Sequence, residues 1–212
     1  MPRPRVHDPD TVLDAAEALA VRAGPAAVTV RAVAAATGVS NGALYHTFGS
    51  RGALLARAWV RAARRFLDVQ RALAFPETAE AHGDSDAEAA VTAAIVAAAE
   101  APSVFAERFP DSARLVLTVS REQLLDADLP VELAAELRGA ERDLVAVLVD
   151  LAQRRWGRRD RRAVQVLTTC LVDLPTAILL RRDQLADPHA RHQLRAAVRA
   201  VLDIGPPERK SS

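Results

Sequence analysis

Side chains able to hydrogen-bond to nucleic-acid bases and phosphates lie close together between residues 29 and 51. Asn41 can pair with adenine through two hydrogen bonds, and Arg31 can pair with guanine in the same way. Tyr45 and His46 end in groups that can donate to phosphate oxygens. The candidate contact residues are Thr29, Arg31, Ser40, Asn41, Gly42, Tyr45, His46, Thr47 and Arg51.

Two features of the same segment favour phosphate and close backbone contact. Ser50 and Arg51 would place free backbone N–H groups, the positive end of a helix and a guanidinium at one point. Thr29 can act in the same way at the start of its own helix. Gly42 is costly inside a short helix, so its bare backbone either lets DNA approach or relieves packing.

Capping residues predict the helices that position these groups. Thr29 caps a helix over residues 30–37, and Gly38 supplies the left-handed residue that ends it. Ser40 caps a second helix over residues 41–46, and Ser50 caps a third. The apolar residues expected to pack the first two helices together are Val33, Val39, Leu44 and Phe48. Two helices joined by a short turn that contains a glycine predict a helix-turn-helix, whose second helix enters the DNA major groove.

The segment from about Val12 to Trp59 resembles the N-terminal domain of the tetracycline-repressor-like (TetR) family of transcriptional regulators. The matching residues are Ala15–Ala16, Leu19, Gly24, Thr29–Arg31, Val33–Ala34, Gly38–Ser40, Gly42–Tyr45, Phe48, Ser50–Arg51 and Leu54–Leu55. Two departures are Arg51-Gly52, where the family usually has Lys-Glu, and Thr47, where it usually has an aromatic residue or His. The resemblance implies that Arg31, Asn41 and Thr47 read bases.

Charge is distributed unevenly along the 212 residues, although the net charge is only +1. Residues 1–65 contain nine Arg and four acidic residues, which gives +5, and the rest of the chain carries −4. A basic N-terminal part on an acidic body is typical of a DNA-binding head. Arg3 and Arg5 form either a mobile DNA-contacting arm or an unstructured tail. With no secretory signal and no run of about twenty uncharged apolar residues, we expect a cytoplasmic protein without a membrane span.

Helix signals continue to the C-terminus, and the sequence predicts an all-α fold. The predicted helices span 9–23, 30–37, 41–46, 50–74, 85–100, 103–108, 112–125, 130–156, 160–185 and 188–202. We predict a three-helix helix-turn-helix DNA-binding domain over residues 1–56. A helical ligand-binding and dimerisation domain follows over 57–205, and residues 206–212 form a disordered tail.

Candidates for catalysis or metal binding are weak. Asp187, His189 and His192 lie at the start of a helix, where Asp caps and His is solvated. Cys170, the only cysteine, lies on an apolar helix face with Val166 and Leu167, as a small hydrophobic residue would. We therefore predict no enzyme activity, no metal site and no cofactor.

The resemblance also implies what the body does: it dimerises through its last long helices and holds an inducer between the others. Candidate ligand-wall residues are Phe66, Ile95, Phe105, Phe109, Leu115 and Leu148. Candidate dimer residues are Leu171, Leu174, Ile178, Leu194 and Val198. Pro175 removes a backbone donor and should bend its helix, either opening space or serving no pocket role. The expected partners are operator DNA, a second copy and a small, mostly apolar effector. The alternative is a DNA-binding regulator without an effector.

Overall fold

The computed structural model describes residues 8–77 and 84–208, and over these ranges the chain is helical without a β-strand. The predicted all-α fold is confirmed. Arg3 and Arg5 lie outside the described residues, as do residues 209–212 of the predicted tail. In chain order the helices are α1 (Pro9–Ala23), α2 (Val30–Thr37), α3 (Asn41–Phe48), α4 (Arg51–Ala74), α5 (Asp84–Ala99), α6 (Ala101–Arg108), α7 (Pro110–Thr118), α8 (Arg121–Leu125), α9 (Val131–Trp156), α10 (Arg161–Thr168) and α11 (Pro188–Ile204).

The helices pack into two units. The first unit contains residues up to 64 together with 109–140, and the second contains 65–108 and the residues from 141 onward. The domain prediction placed the boundary between the DNA-binding domain and the helical body after residue 56. The units of the structure differ from this prediction because residues 109–140 belong to the first unit. The return of the chain to an earlier unit leaves no local signal in the sequence.

The core of the first unit holds the helix-turn-helix in place. Leu44 and Phe48 of α3 are buried in it beside Val33 of α2 and Leu54 of α4. Trp59 is also buried there, and its Nε1–H donates to the carbonyl of Val119 at 2.9 Å. The predicted packing role of Leu44 and Phe48 is therefore seen in the structure.

One predicted helix of the first unit is wrong in detail. The span 112–125 forms two helices, α7 and α8, rather than one. Ser120 breaks it, because its hydroxyl accepts from the Gln123 N–H while the Gln123 side chain accepts from the Ser120 N–H. This reciprocal capping box starts a new helix. Asp111 lies in the first turn of α7 and does not cap it.

The second unit contains a long helical run around Pro175. After α10 the run continues through two π-helical segments, Thr169–Asp173 and Thr176–Leu180, and ends there instead of at the predicted residue 185. Pro175 itself keeps helical angles, φ −58° and ψ −40°. The missing N–H is accommodated by wider i→i+5 turns, in which the Leu174 N–H donates to the Thr169 carbonyl.

The same run is unusually apolar. The most apolar 18 residues within Arg161–Leu180 have a mean hydropathy of 1.8, so by length and composition this run could cross a membrane, and 33% of those residues are buried. Asp86–Ala99 and Ala101–Arg108, bent by 52°, pass the same test as a pair. Leu167, Cys170 and Leu179 pack in the core of the second unit, as residues of a core helix do.

The start of the predicted C-terminal tail is held by the second unit. The guanidinium of Arg158 donates to the Pro207 carbonyl at 3.0 Å, and that of Arg162 donates to the Glu208 carbonyl at 3.0 Å. Residues 206–208 are therefore anchored, in contrast to the predicted disorder.

Candidate nucleic-acid interface

Helix α3 presents a polar face to solvent, and its position is fixed by the cap at its start and by its buried side. Ser40 caps it by accepting from the Ala43 N–H at 3.2 Å. Leu44 and Phe48 anchor it in the core of the first unit, whereas every other residue of the helix is exposed. Tyr45 has 57% of its surface exposed, which is high for an aromatic residue. A large side chain held out on a rigid helix is available for a partner.

All of the predicted DNA-contacting residues are exposed. They are Thr29, Arg31, Ser40, Asn41, Gly42, Tyr45, His46, Thr47 and Arg51. Thr29 caps α2, its hydroxyl accepting from the Ala32 N–H at 3.1 Å, and Gly38 ends α2 in the left-handed region at φ 72°. The caps thus start α2 and α3 where predicted, whereas α3 continues to Phe48 and not only to the predicted residue 46.

Gly42 lies in the first turn of α3 with open space above it. A Cβ added there would have no heavy atom within 4 Å. The protein itself therefore does not require a glycine at this position. Of the two interpretations left open by the sequence, close approach of a partner to the backbone is favoured over relief of packing.

Arg51 has a structural role that sequence reasoning missed. Its Nε–H donates to the Val28 carbonyl and its Nη2 donates to the Pro25 carbonyl, both at 2.7 Å. The side chain thereby ties the start of α4 to the segment before α2. A guanidinium has five N–H donors, so three remain for a phosphate. The backbone carbonyls that hold Arg51 leave no signal in the sequence.

The start of α4 offers fewer free donors than predicted. Ser50 uses its hydroxyl to accept from the Ala53 N–H at 3.0 Å. The N–H groups of Arg51 and Gly52 precede this bond and remain available at the positive end of the helix.

A second basic group lies beside α3. An open groove of about 380 Å³ in the first unit is lined by Thr47 of α3 and by the exposed Arg57 and Arg64 of α4. Arg64 also pairs with Glu136 at 2.9 Å. The sequence shows that residues 1–65 are rich in Arg, but it could not place Arg57 beside Thr47.

An ionic network centred on the buried Glu17 holds α1 against α4 and α7. Arg61 of α4 donates to Oε1 of Glu17 from Nη2 at 2.6 Å and from Nε at 3.1 Å. It also donates to Asp14 at 2.7 Å and Asp10 at 3.0 Å. Ser112 of α7 donates to the other Glu17 oxygen at 2.5 Å. Burial opposes the charge of Arg61, but the hydrogen bonds to Glu17 and Asp10 outweigh it and raise the pKa of Arg61 above its ordinary value.

The predicted ligand-wall residues are divided between the two cores. Leu115 belongs to the core of the first unit, and Ile95 and Leu148 belong to that of the second. Phe66 and Phe105 meet edge to face, with ring centroids 5.6 Å apart. A small groove of about 160 Å³ in the second unit is lined by other residues, among them Val91, Leu151 and Arg154.

The predicted dimer residues also differ in exposure. Leu171, Leu194 and Val198 are 3%, 0% and 0% exposed in the core of their own unit, so they have no surface left for a partner. Leu174 and Ile178 are only partly buried.

Asp187 caps α11 by accepting from the His189 N–H at 2.9 Å, as the capping interpretation of Asp187 predicted.

Comparison with known proteins gives one family match and several related folds. Residues 12–58 match the family model described as bacterial regulatory proteins, tetR family. No curated protein matches the chain. The TetR family transcriptional regulator PfmR from Thermus thermophilus is 20% identical, with a TM-score of 0.62 over 93% of this chain and 99% of that one.

Two further solved structures share the fold. A protein of unknown function from Rhodococcus sp. RHA1 is 19% identical, with a TM-score of 0.64 over 97% of this chain and 100% of that one. The fatty acid degradation regulator FadR from Bacillus halodurans is 16% identical, with a TM-score of 0.60 over 92% and 97%. At these identities the likeness concerns the fold alone. The family match falls on α1 to α4, the helices that build the exposed face of α3, and it shows that this part of the chain is similar to the bacterial regulatory proteins of the tetR family.

Proposed function

We propose that this protein is a ligand-responsive repressor that binds a palindromic operator as a dimer and is released by a small, mostly apolar molecule. The observation that carries the proposal is the surface of α3, where every residue except the two core anchors Leu44 and Phe48 is exposed. A helix held rigidly by its caps and core, with Asn41 and Tyr45 outward, suits base reading in the major groove.

The roles of individual residues on α3 can be separated by mutation. Asn41→Ala removes a bidentate base contact, so it should cost about 1–3 kcal/mol at one base position in each half-site. Tyr45→Phe removes only the phenol hydroxyl that would contact the phosphate backbone of the DNA, so it should weaken binding to all DNA sequences alike. Fluorescence anisotropy measures the affinity of both protein variants for an operator and for its single-base variants. Identical losses from both variants on every sequence would show that the base-reading residue is misassigned.

The dimer is supported by the apolar run Arg161–Leu180, most of whose residues are partly buried or exposed within their own chain. Leu174 and Ile178 lie on this run and are partly exposed. Two copies that cover this surface with each other would bury it, and would hold two α3 helices at a fixed spacing.

Charged substitutions test the dimer directly. Leu174→Asp with Ile178→Asp should give monomers by light scattering at micromolar concentration, with loss of operator binding. Leu117→Asp is the control, because Leu117 is 50% exposed in the first unit and should leave the dimer intact. A monomeric wild-type protein would contradict the proposal.

Release by an effector is supported by the continuity of α4. This helix contributes residues up to 64 to the first unit and residues 65–74 to the second, and in this proposal a ligand bound to the second unit acts on the first through α4. A ligand that binds only a form unsuited to DNA shifts the population away from the DNA-binding form. By linkage, operator DNA must then weaken ligand binding by the same factor, typically about 5–150-fold.

A thermal-shift screen of metabolites, repeated with operator DNA present, tests this part. A true effector should raise the melting temperature less when DNA is bound. A hit that binds equally well with and without DNA is not an effector. If every hit behaves in this way, the protein is a DNA-binding regulator without an effector.

A further inference from the structure

Among the residues that the structure describes, Arg57 is an arginine without a partner in the open groove beside α3. This groove is lined by residues of α1, α3, α4 and α9, all within the first unit. Its other charged residues are paired with each other. Arg61 donates to Asp10 at 3.0 Å, and Arg64 donates to Glu136 at 2.9 Å. Arg57 makes neither a hydrogen bond nor an ion pair with any of the described residues, and its side chain is exposed.

The exposed face of α3 ends at this groove. Leu44 and Phe48 hold the buried side of the helix, so helical geometry places His46 near the middle of the exposed face. Tyr45 and Thr47 then lie on either side of His46. Thr47 also lines the groove. A partner that covers the exposed face of α3 therefore reaches the groove at the Thr47 edge.

A DNA duplex that holds α3 in its major groove would bring phosphates to this edge. The major groove is about 12 Å wide, and a sugar–phosphate backbone forms each of its two walls. One wall must then pass along the Thr47 edge of α3, beside Arg57. A guanidinium keeps its charge at any ordinary pH and matches a phosphate with two parallel hydrogen bonds. The unpaired Arg57 side chain therefore has the right chemistry for that wall.

Arg51 cannot take the place of Arg57. The two arginines are six residues apart on α4, which separates them by about 9 Å along the helix and about 120° around it. Arg51 is also held in place, because it donates to the carbonyls of Val28 and Pro25 at 2.7 Å each. Arg57 is bound by no such contact among the described residues, so the two side chains would serve different phosphates.

We infer that Arg57 binds a backbone phosphate of the operator, on the strand that passes the Thr47 edge of α3. The inference rests on the proposed function, because it requires α3 to lie in the major groove. A phosphate contact reads no base, and its role is to fix the position and orientation of α3 on the duplex. Arg57 is thus a positioning residue outside the set of contacts predicted from the sequence.

The salt dependence of DNA binding by the full-length protein tests this contact. Fluorescence anisotropy is measured on a selected operator and on a random-sequence duplex, between about 0.05 and 0.2 M salt. Arg57→Ala should bind both duplexes about tenfold more weakly. The slope of log affinity against log salt should become shallower by about 2 for a dimer, because each phosphate contact contributes about 0.9.

Two variants control for charge. Arg57→Lys keeps the positive charge and should keep most of the salt slope. Arg114→Ala removes the same charge from an exposed position on α7 in the same unit, away from the groove, and should match the wild type. Arg57→Ala should melt within about 2 °C of the wild type, as expected for an exposed helix residue. Arg57→Gln is the second variant if Arg57→Ala does not fold.

Neutral methylphosphonate linkages, introduced one at a time into the operator, locate the contact. At one or two adjacent linkages in each half-site, the neutral group should weaken the wild type by about three- to tenfold and leave Arg57→Ala unchanged, because the variant has already lost that contact. Every other linkage should affect both proteins alike.

The inference would be overturned if Arg57→Ala and Arg114→Ala had the same affinity and salt slope. It would also be overturned if the loss in Arg57→Ala were confined to one base position, or if every linkage affected the wild type and Arg57→Ala alike. These results leave sequence-specific binding by α3 untouched and refute the role of Arg57 alone. No binding of any duplex by the wild type would instead refute the proposed function, and this inference with it.

Discussion

Removing Arg61 should destabilise the first unit far more than neutralising its partner Glu17. The Glu17 side chain is 3% exposed, and Arg61 supplies two of its hydrogen bonds, at 2.6 and 3.1 Å. Arg61→Leu leaves the carboxylate buried without this guanidinium, while Ser112 still donates to it as a neutral group. Breaking a buried ion pair from one side costs about 3–5 kcal/mol, so we expect a loss of about 3 kcal/mol or more.

The reverse change should cost less because Arg61 has other partners. In Glu17→Gln the guanidinium keeps Asp10 and Asp14, whose side chains are 67% and 63% exposed, and the glutamine oxygen can still accept from it. Replacing a charged acceptor by a neutral one costs about 1 kcal/mol. In a Glu17→Gln background, Arg61→Leu should therefore cost about 2 kcal/mol less than in the wild type.

Urea unfolding followed by tryptophan fluorescence at one protein concentration, in a Trp156→Phe background that leaves Trp59 as the reporter, measures all four corners of this cycle. Trp59 is suitable because it lies in the core of the same unit. Asp14→Asn is the control, and as the loss of an exposed partner it should cost under about 1 kcal/mol. Equal losses for Arg61→Leu and Glu17→Gln, or strictly additive costs in the double variant, would refute the idea of a buried charge that depends on Arg61.

Three further predictions concern single residues. Gly38→Ala should lose about 1–2 kcal/mol of stability because φ is +72° at this residue, whereas Gly42→Ala should keep or gain stability while weakening DNA binding. Urea titration measures the stability of both variants, and a gel shift measures their DNA binding. Stronger DNA binding by Gly42→Ala would contradict the prediction. Burial raises the pKa of the Cys170 thiol to about 12, so iodoacetamide at pH 8 should label it only in urea, and rapid labelling of the native protein would be the opposite result. The hydrogen bonds from Arg158 are the main reason why the pKa of Asp160 is lowered in the folded protein. The ionised Asp160 carboxylate therefore stabilises the fold fully above its unfolded pKa of about 3.9, and this stabilisation is lost as the pH falls below that value. The melting temperatures of the wild type and Asp160→Asn should differ at pH 7 and converge toward pH 2.

The helix-turn-helix could be predicted because its signals are local. Thr29 and Ser40 are capping residues immediately before apolar helix positions, and Gly38 is a helix-ending glycine. Each acts on backbone groups within three or four residues, so the sequence alone contains both partners. The capping box of Ser120 and Gln123 is equally local, yet the predicted helix over 112–125 ran through it.

Features that depend on distant partners could not be predicted. Glu17 looks like a surface acid in α1, and only folding brings Arg61 and Ser112 to it. Arg51 was predicted to bind phosphate alone, yet it also holds two carbonyls from the segment before α2. The burial of Leu194 inside its own unit likewise depends on the packing of α11, which its apolar spacing does not reveal.

The measurement that tests the central claim most directly is selection of bound sequences from random duplex DNA, performed with the wild type and with Asn41→Ala. If α3 reads bases in a dimer, the wild type should enrich an inverted repeat whose half-sites are centred about 10 base pairs, or a multiple of that, apart. The Asn41→Ala protein should enrich the same repeat with one position per half-site relaxed. Enrichment of no sequence by the wild type, or an unchanged motif with Asn41→Ala, would contradict the assignment of α3 as the base-reading helix.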